Sequence, residues 1–232
     1  MAAVDALMRG IEQIAAKKQP VVLLNTYRGI PVMHEAAVLS VNKGYVTVRV
    51  HPFQAACLAL QGETYLKSDQ FPGIYRAQVV AVDVPKDQAV ITEFTDAGAT
   101  IGKRITTRVQ PKEPLDVELY DGEHRFTGKL ADISTAGMGI LTLAAHIYGD
   151  LALSTGSLVS IDFRLPQSEE LMQYQSKVAS MVPKAGTFLH RLGLELLPDP
   201  VLEFKLRQYL AKRQDELLEE LKRIHESMLS SQ

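Results

Sequence analysis

Short segments of alternating apolar and polar residues, divided by turn signals, constrain the fold of this chain more than any other feature. In one of them, Val46, Val48 and Val50 alternate with Thr47 and Arg49. Side chains of a β-strand point to opposite faces in turn, so this pattern predicts a strand with one buried face. Comparable segments in the first half of the chain cover residues 21–24, 29–41, 64–67, 76–84 and 89–94. Strands with this close spacing favour a small β-barrel.

The second half of the chain repeats this organisation after a polar interruption. Residues 98–114 are rich in Thr, Gly, Lys, Arg and Pro and lack a sustained apolar period, which is typical of a linker. The sequence therefore predicts a split-barrel-like N-terminal domain over residues 1–97, a linker over 98–114, and a second antiparallel barrel over 115–232. The strands of the second barrel are predicted at residues 116–120, 125–134, 137–143, 157–165, 172–182 and 187–197.

Two helices flank the predicted strands. A short helix is predicted over residues 3–18, where apolar residues recur every three or four positions. A long helix is predicted over residues 199–229, because Asp199 is a good N-cap and Pro200 is favoured at the first helical position. The predicted fold class is mainly β, with two small antiparallel β-barrels, a short N-terminal helix and a long C-terminal α-helix.

The apolar stripe of the long helix allows two uses. Its members follow intervals of 7, 4, 3 and 4 residues and are Leu210, Leu217, Leu221, Ile224 and Met228. Packing on its own barrel accounts for the first half of the helix. Fewer than three clean heptads remain for a coiled coil, so self-association into a homo-oligomer through the second half stays an open alternative.

Composition argues against several classes of function. The formal net charge is −2 and the isoelectric point is about 6.3, so no overall basic field would hold nucleic acid or an anionic membrane. The sequence contains no uninterrupted run of about 18 apolar residues, so it predicts no membrane-spanning helix. The single cysteine, Cys57, cannot form an intrachain disulfide, and the N-terminus lacks a secretory signal pattern. We therefore expect a cytoplasmic protein.

The sequence lacks the common motifs of catalysis and metal binding. Its six histidines show none of the spacings of zinc sites, and GxSxG, P-loop and GxGxxG patterns are absent. The adjacent carboxylates at 169–170 and 219–220 are typical of helix surfaces. The sequence therefore predicts a protein that is not an enzyme and that uses no cofactor or metal.

Two short motifs in fixed order carry the functional signal. Arg104 and Arg108 form an R-x-x-x-R pair in the linker, and Asp132, Ser134 and Gly137 form a D-x-S-x-x-G pattern in the second barrel. With twelve arginines in the chain, an arginine pair at this spacing is expected by chance roughly 0.6 times, whereas the second pattern is expected roughly 0.05 times. The two motifs together, in this order, are therefore specific.

These motifs resemble the RxxxR and [D/N]xSxxG signatures of the PilZ family, whose members are receptors for the bacterial second messenger cyclic di-GMP. The resemblance covers residues 101 to about 210 and implies a β-barrel preceded by the two arginines. Gly193 resembles the glycine of the family's late strand. The first domain is similar in outline to the small N-terminal barrel of flagellar-brake proteins of this family.

By this resemblance, the arginine motif would bind the ligand from the linker. A guanidinium group can form paired hydrogen bonds with phosphate oxygens or with guanine O6 and N7, and it can stack on a purine. Arg104 and Arg108 would therefore hold phosphate and guanine. Lys103, which precedes the first arginine, is included as a further ligand contact.

The second motif would supply the pocket on the barrel. An ionised Asp132 accepts hydrogen bonds only and suits the N1-H and 2-amino edge of guanine, while Ser134 offers a hydroxyl and Gly137 lacks a Cβ. On an extended segment, Asp132 and Ser134 would project from the same face. A structural alternative is a turn that ends a strand, with Gly137 supplying a positive φ.

The function implied by the resemblance is a cyclic di-GMP receptor that changes its domain arrangement on binding. Its output would be a contact with another protein, such as the flagellar motor, in the control of motility, biofilm or secretion. One alternative is a ligand-independent interaction scaffold. Another is an oligonucleotide-binding barrel, which the acidic balance and the aromatic content of 6% disfavour.

Overall fold

Two closed β-barrels form the fold of this chain. The computed structural model describes residues 2–98, 107–148, 153–166 and 170–230. Within these residues, twelve strands form two closed barrels of six strands each, and the chain begins and ends with an α-helix. The prediction of a mainly β fold with two small antiparallel barrels and two terminal helices is confirmed.

The chain divides into two compact units, and each contains one barrel. The first unit comprises Met1–Ile105 with Glu216–Gln232, and the second comprises Thr106–Asp215. The domains predicted from the sequence place the whole C-terminal helix with the second barrel. The grouping differs because the end of this helix contacts the first barrel, where Arg28 Nη1 donates a hydrogen bond to Glu220 Oε2 at 3.0 Å.

Alternating inward-facing residues build the core of the first barrel. Its strands are β1 (Pro20–Tyr27), β2 (Ile30–Asn42), β3 (Tyr45–Arg49), β4 (Glu63–Lys67), β5 (Ile74–Asp83) and β6 (Gln88–Asp96). They pair in the order β1-β2-β3-β6-β5-β4, and β4 returns to β1 in an antiparallel pair that closes the barrel. Val46 and Val48 of β3 are fully buried, as the alternation in the sequence predicts.

The N-terminal helix α1 (Ala2–Lys17) completes this core. Leu7, Ile11 and Ile14 lie three or four residues apart and are at most 1% exposed. They belong to the same apolar cluster as the inward-facing residues of the strands. The helical spacing of these three residues therefore places one face of α1 against the barrel.

The helix α2 (Pro52–Gln61) was not predicted from the sequence. It begins after His51, whose Nδ1 accepts a hydrogen bond from the backbone N-H of Phe53 at 3.2 Å. Pro52 occupies the first turn, where a missing N-H costs nothing. Cys57 is fully buried on this helix, and burial raises the pKa of its thiol to about 12. An apolar run of this kind does not by itself distinguish a buried helix from a strand.

The second barrel repeats the closed antiparallel design. Its strands are β7 (Leu115–Tyr120), β8 (Arg125–Ile133), β9 (Gly137–Leu143), β10 (Leu158–Arg164), β11 (Leu171–Pro183) and β12 (Leu189–Leu196). They pair in the order β10-β11-β12-β9-β8-β7, and β7 closes the barrel against β10. All six predicted strands are present. A short helix, α3 (Ala144–Tyr148), follows β9 and was not predicted.

The long helix α4 (Pro200–Ser230) begins as the sequence predicts. Asp199 Oδ1 accepts hydrogen bonds from two backbone N-H groups of the first turn, both at 3.0 Å. Leu206, Leu217 and Leu221 are fully buried, so part of the apolar stripe is covered within the chain. Self-association through the second half of the helix stays a prediction.

Histidines form a small cluster on the first unit. The rings of His34 and His51 stack with centroids 3.9 Å apart and an interplanar angle of 9°. Nearby, His225 Nε2 lies 3.2 Å from Asp87 Oδ1. Burial, followed by the charge of His51, lowers the pKa of His34. For His51, burial lowers the pKa most, and His225 adds to the decrease while Asp87 opposes it.

These lowered pKa values predict an acid-sensitive first unit. Because both histidines titrate below 6.5 when folded, the unfolded chain takes up protons first as the pH falls. Their contribution to stability is therefore present above pH 6.5 and is lost as the pH falls through the folded-state pKa values. The measurement is thermal unfolding at about pH 7.5 and about pH 5.5. The parent is expected to lose more stability than the variant His34→Gln, His51→Asn.

Asparagine is chosen at position 51 because it is a good N-cap that does not titrate. The variant therefore preserves the start of α2 while removing the charge change. An equal loss of melting temperature in parent and variant over this pH range would contradict the assignment.

Candidate functional site

Arg108 is placed beside Asp132 by an isolated antiparallel bridge. The backbone N-H of Val109 donates to Ile133 O at 2.9 Å, and the N-H of Ile133 donates to Val109 O at 3.0 Å. Both apolar side chains are fully buried, so their neighbours along the chain face the other side. There, Arg108 Nη1 donates to Asp132 Oδ1 at 3.3 Å. The structure thus brings one residue of each sequence motif together.

A second arginine forms a hydrogen bond with the other oxygen of the Asp132 carboxylate. Arg191 of β12 donates through Nη2 to Asp132 Oδ2. The side chain of Asp132 is 14% exposed, whereas those of Arg108 and Arg191 are 30% and 38% exposed. Two guanidinium groups against one carboxylate leave a surplus positive charge at a partly open surface. Such an arrangement suits an anionic ligand.

Gly139 leaves the space in which this pair forms. It lies on β9 opposite both Asp132 of β8 and Gly193 of β12. A Cβ at position 139 would lie 2.9 Å from Asp132 Oδ2 and still closer to Arg191 Nη2. Any larger residue would therefore displace the ion pair.

Ser134 is a buried residue of the turn between β8 and β9. Its Oγ donates to Gly137 O at 3.0 Å and accepts from the N-H groups of Ala136 and Gly137 at 3.3 and 3.1 Å. The hydroxyl is thus used within the turn and does not share an open face with Asp132. The turn alternative of the sequence analysis describes Ser134 correctly.

Gly137 is required by close packing and not by its backbone angle. It is not among the glycines with positive φ, so that part of the turn interpretation is wrong. A Cβ at this position would lie 2.5 Å from Leu194 O on β12. The glycine therefore allows β12 to approach the turn.

Two of the six predicted site residues, Lys103 and Arg104, lie outside the described residues. Conversely, Arg191 and Gly139 were missed by the sequence analysis. Arg191 lies two positions before Gly193, which was recognised, but its contact with Asp132 depends on how β12 pairs with β9. The two motifs do not predict the register between β9 and β12.

The described part of the chain shows neither a cluster of metal-binding side chains nor a membrane-spanning helix. Across residues 2–98, 107–148, 153–166 and 170–230, no group of three or more His, Cys, Asp or Glu side chains is arranged to hold a metal ion. Among the helices in those ranges, none is long and apolar enough to cross a membrane.

Comparison with protein families identifies the second barrel. The family model of the PilZ domain matches residues 102–212. This segment is a PilZ domain. The match includes both sequence motifs and the site built around Asp132. No curated protein is similar enough in sequence to count as a match.

Solved structures with a similar course of the chain include one of MotI/DgrA and two of YcgR. The Bacillus subtilis inhibitor of motility MotI/DgrA is 15% identical, with a TM-score of 0.45 over 85% of this chain and 96% of that chain. YcgR from Escherichia coli, in complex with c-di-GMP, is 15% identical, with a TM-score of 0.45 over 94% of each chain. The isolated PilZ domain of that YcgR with c-di-GMP is 19% identical, with a TM-score of 0.42 over 52% of this chain and 98% of that chain. Nothing about ligand or partner follows from similarity at this level.

The turn role of Ser134 yields a stability prediction. Ser134→Ala removes the hydroxyl that hydrogen-bonds to three backbone groups of the turn, so we expect the free energy of unfolding to fall by about 1–3 kcal/mol. Denaturant unfolding measures this change. Thr135→Ala is the matched control, because it removes the neighbouring hydroxyl of the same turn. Equal stability of Ser134→Ala and the control would argue against the turn role.

Proposed function

We propose that this protein is a cyclic di-GMP receptor that binds its ligand at the PilZ barrel. The observation that supports this most is the convergence of Arg108, from the arginine motif, with Asp132, from the second motif, on one partly open surface. The members of the PilZ family are receptors for this dinucleotide. The ligand site comprises Lys103, Arg104, Arg108, Asp132, Ser134 and Gly137, and it acts without catalysis.

The charges of the site favour a phosphodiester. Asp132 neutralises only one of the two guanidinium groups that contact it. The contact of Arg108 is long, at 3.3 Å, and Arg108 lies outside the strands of the barrel, next to an isolated bridge. Exchanging this contact for a phosphate oxygen would form a charge-assisted hydrogen bond at little structural cost. Arg108 is therefore the arginine proposed to move to the ligand.

The carboxylate of Asp132 is proposed to recognise guanine. It can accept from both N1-H and the 2-amino group, whereas adenine offers an acceptor at N1 and has no 2-amino group. Once Arg108 leaves, Oδ1 of Asp132 is free to accept a hydrogen bond from the base. Ser134 and Gly137 contribute by fixing the turn that follows Asp132.

Ligand binding is proposed to change the arrangement of the two barrels. The arginine motif lies in the segment that connects them, so a ligand that holds Lys103, Arg104 and Arg108 biases one arrangement. The result would be presented to a partner protein in the cytoplasm. We propose that the protein controls motility through a component such as the flagellar motor. Control of biofilm formation or of secretion is the second proposal. A homo-oligomer through α4 stays a secondary prediction.

Loss of the Arg108 guanidinium is expected to weaken binding selectively. Arg108→Ala should reduce the affinity for cyclic di-GMP by about 2 kcal/mol, since a charge-assisted hydrogen bond contributes about 1.5–3 kcal/mol. Titration calorimetry measures this loss. Arg125→Ala is the matched control, because it removes an arginine from the same barrel whose side chain is 73% exposed.

The same titration separates the receptor from its alternatives. Equal affinities of the parent and Arg108→Ala would refute the site, and absence of binding to the parent would favour the ligand-independent scaffold. Binding of unrelated oligonucleotides with comparable affinity would favour the oligonucleotide-binding barrel. Cyclic di-AMP serves as the control ligand and is expected not to bind.

Limited proteolysis is expected to report the engagement of the connecting segment. Trypsin cleaves after Lys103, Arg104 and Arg108, and side chains bound to ligand cannot enter the protease. Saturating cyclic di-GMP should therefore slow cleavage at these positions, and small-angle scattering should show a changed radius of gyration. Cleavage after Lys43, in the first barrel, provides the internal control. Unchanged cleavage and scattering would show that the segment is not the switch, even where calorimetry detects binding.

A further inference from the structure

The two arginines that contact Asp132 are held very differently. Arg191 lies within β12, which is paired on both sides, with Leu141 of β9 and Val182 of β11 opposite it. Arg108 lies outside the strands of the barrel and immediately precedes the isolated bridge between Val109 and Ile133. Arg191 is therefore the fixed partner of the carboxylate, and Arg108 is the exchangeable one.

This difference has a consequence for the orientation of the carboxylate. Arg191 engages Oδ2, so the rotation of the Asp132 side chain is restrained even when nothing engages Oδ1. Oδ1 faces the side from which Arg108 approaches. When Arg108 exchanges its contact for the ligand, the restrained Oδ1 remains directed toward the ligand. Without Arg191, the departure of Arg108 would leave a carboxylate free to rotate.

Gly139 provides an independent indication that the pair is a built feature. It allows Arg191 to reach across β9 to a carboxylate on β8, 59 positions away in the sequence. The pair thus spans three adjacent strands. Replacing the glycine by alanine would displace the two side chains without changing any charge.

We propose that Arg191 is a positioning residue that fixes the Asp132 carboxylate for reading the guanine edge, and so sets base selectivity. The inference rests on the proposed function, since it concerns the same ligand. Arg191 acts through Asp132. Loss of the Arg191 guanidinium should therefore weaken recognition of the base more than binding of the phosphates.

The test compares cyclic di-GMP with cyclic di-IMP, whose bases lack only the 2-amino group. The parent is expected to prefer cyclic di-GMP by about tenfold or more, as a hydrogen bond to a charged acceptor allows. Arg191→Met, which keeps an unbranched side chain without the guanidinium, should bring this ratio close to one. Gly139→Ala should do the same, while Arg191→Lys should keep part of the preference because a single donor to Oδ2 remains.

Two controls separate positioning from general damage. Arg108→Ala should weaken both ligands by similar factors and keep the ratio, and Arg125→Ala should change neither affinity. Thermal unfolding establishes that each variant is folded. A merely structural role of Arg191 would lower both affinities equally and leave the ratio at its parental value.

The outcomes distinguish failure of the Arg191 inference from failure of the proposed receptor function. A parental ratio in folded Arg191→Met overturns the role of Arg191 while leaving the receptor function intact. If Arg191→Met does not fold, Gly139→Ala takes its place, and a parental ratio there overturns the inference. A parent protein that binds neither dinucleotide overturns the receptor function and this inference with it.

Discussion

The carboxylate of Asp132, shared by two guanidinium groups, is the interaction on which the arrangement of the site depends. Arg191 reaches it from β12, and Arg108 reaches it from the segment before β7. A carboxylate with only 14% exposure is costly to leave without partners, so its neighbours must supply positive charge. The same requirement leaves the site with more positive than negative charge, which makes it receptive to an anion.

Glycines make this electrostatic arrangement sterically possible. Gly139 leaves room for the ion pair across β9, and Gly137 lets β12 pass close to the turn that follows β8. At Gly193, a Cβ would collide with the side chain of Ser180 on β11. Glycines in strand interiors normally weaken a sheet, so the facing pair Gly139 and Gly193 indicates that close approach has a use here. The strands around Asp132 thus leave room for the Asp132–Arg191 ion pair on the barrel surface.

The sequence predicted the barrels well because their signals are local. Alternation and turn residues determined where strands such as β3 and β9 begin and end, and the cap at Asp199 located α4. The helix α2 was missed because its buried face, around Cys57, reads as an apolar run without a helical period. Hydrophobicity alone cannot separate a short buried helix from a strand.

The site was predicted less completely because half of it depends on strand pairing. Arg108 and Asp132 were found through their motifs, and the structure places them in contact. Arg191 could not be found in this way, since its position opposite Leu141 follows from the register between β9 and β12. The D-x-S-x-x-G pattern allowed two interpretations of Ser134, a ligand contact or a hydrogen-bonded turn residue. Only the hydrogen bonds of its hydroxyl distinguish them.

The residues that follow Arg108 are held by the second barrel, and this limits where a ligand can act. Val109 is bridged to Ile133, and Gln110 O accepts a hydrogen bond at 3.0 Å from Nε of Arg213 on α4, an arginine that is only 2% exposed. Residues 109 and 110 therefore belong to the frame of the second barrel. A ligand that takes Arg108 away from Asp132 does so against a fixed neighbour. The proposed exchange of Arg108 from Asp132 to a ligand would therefore move the arginine side chain against a fixed backbone and would leave the strands of the PilZ core in place.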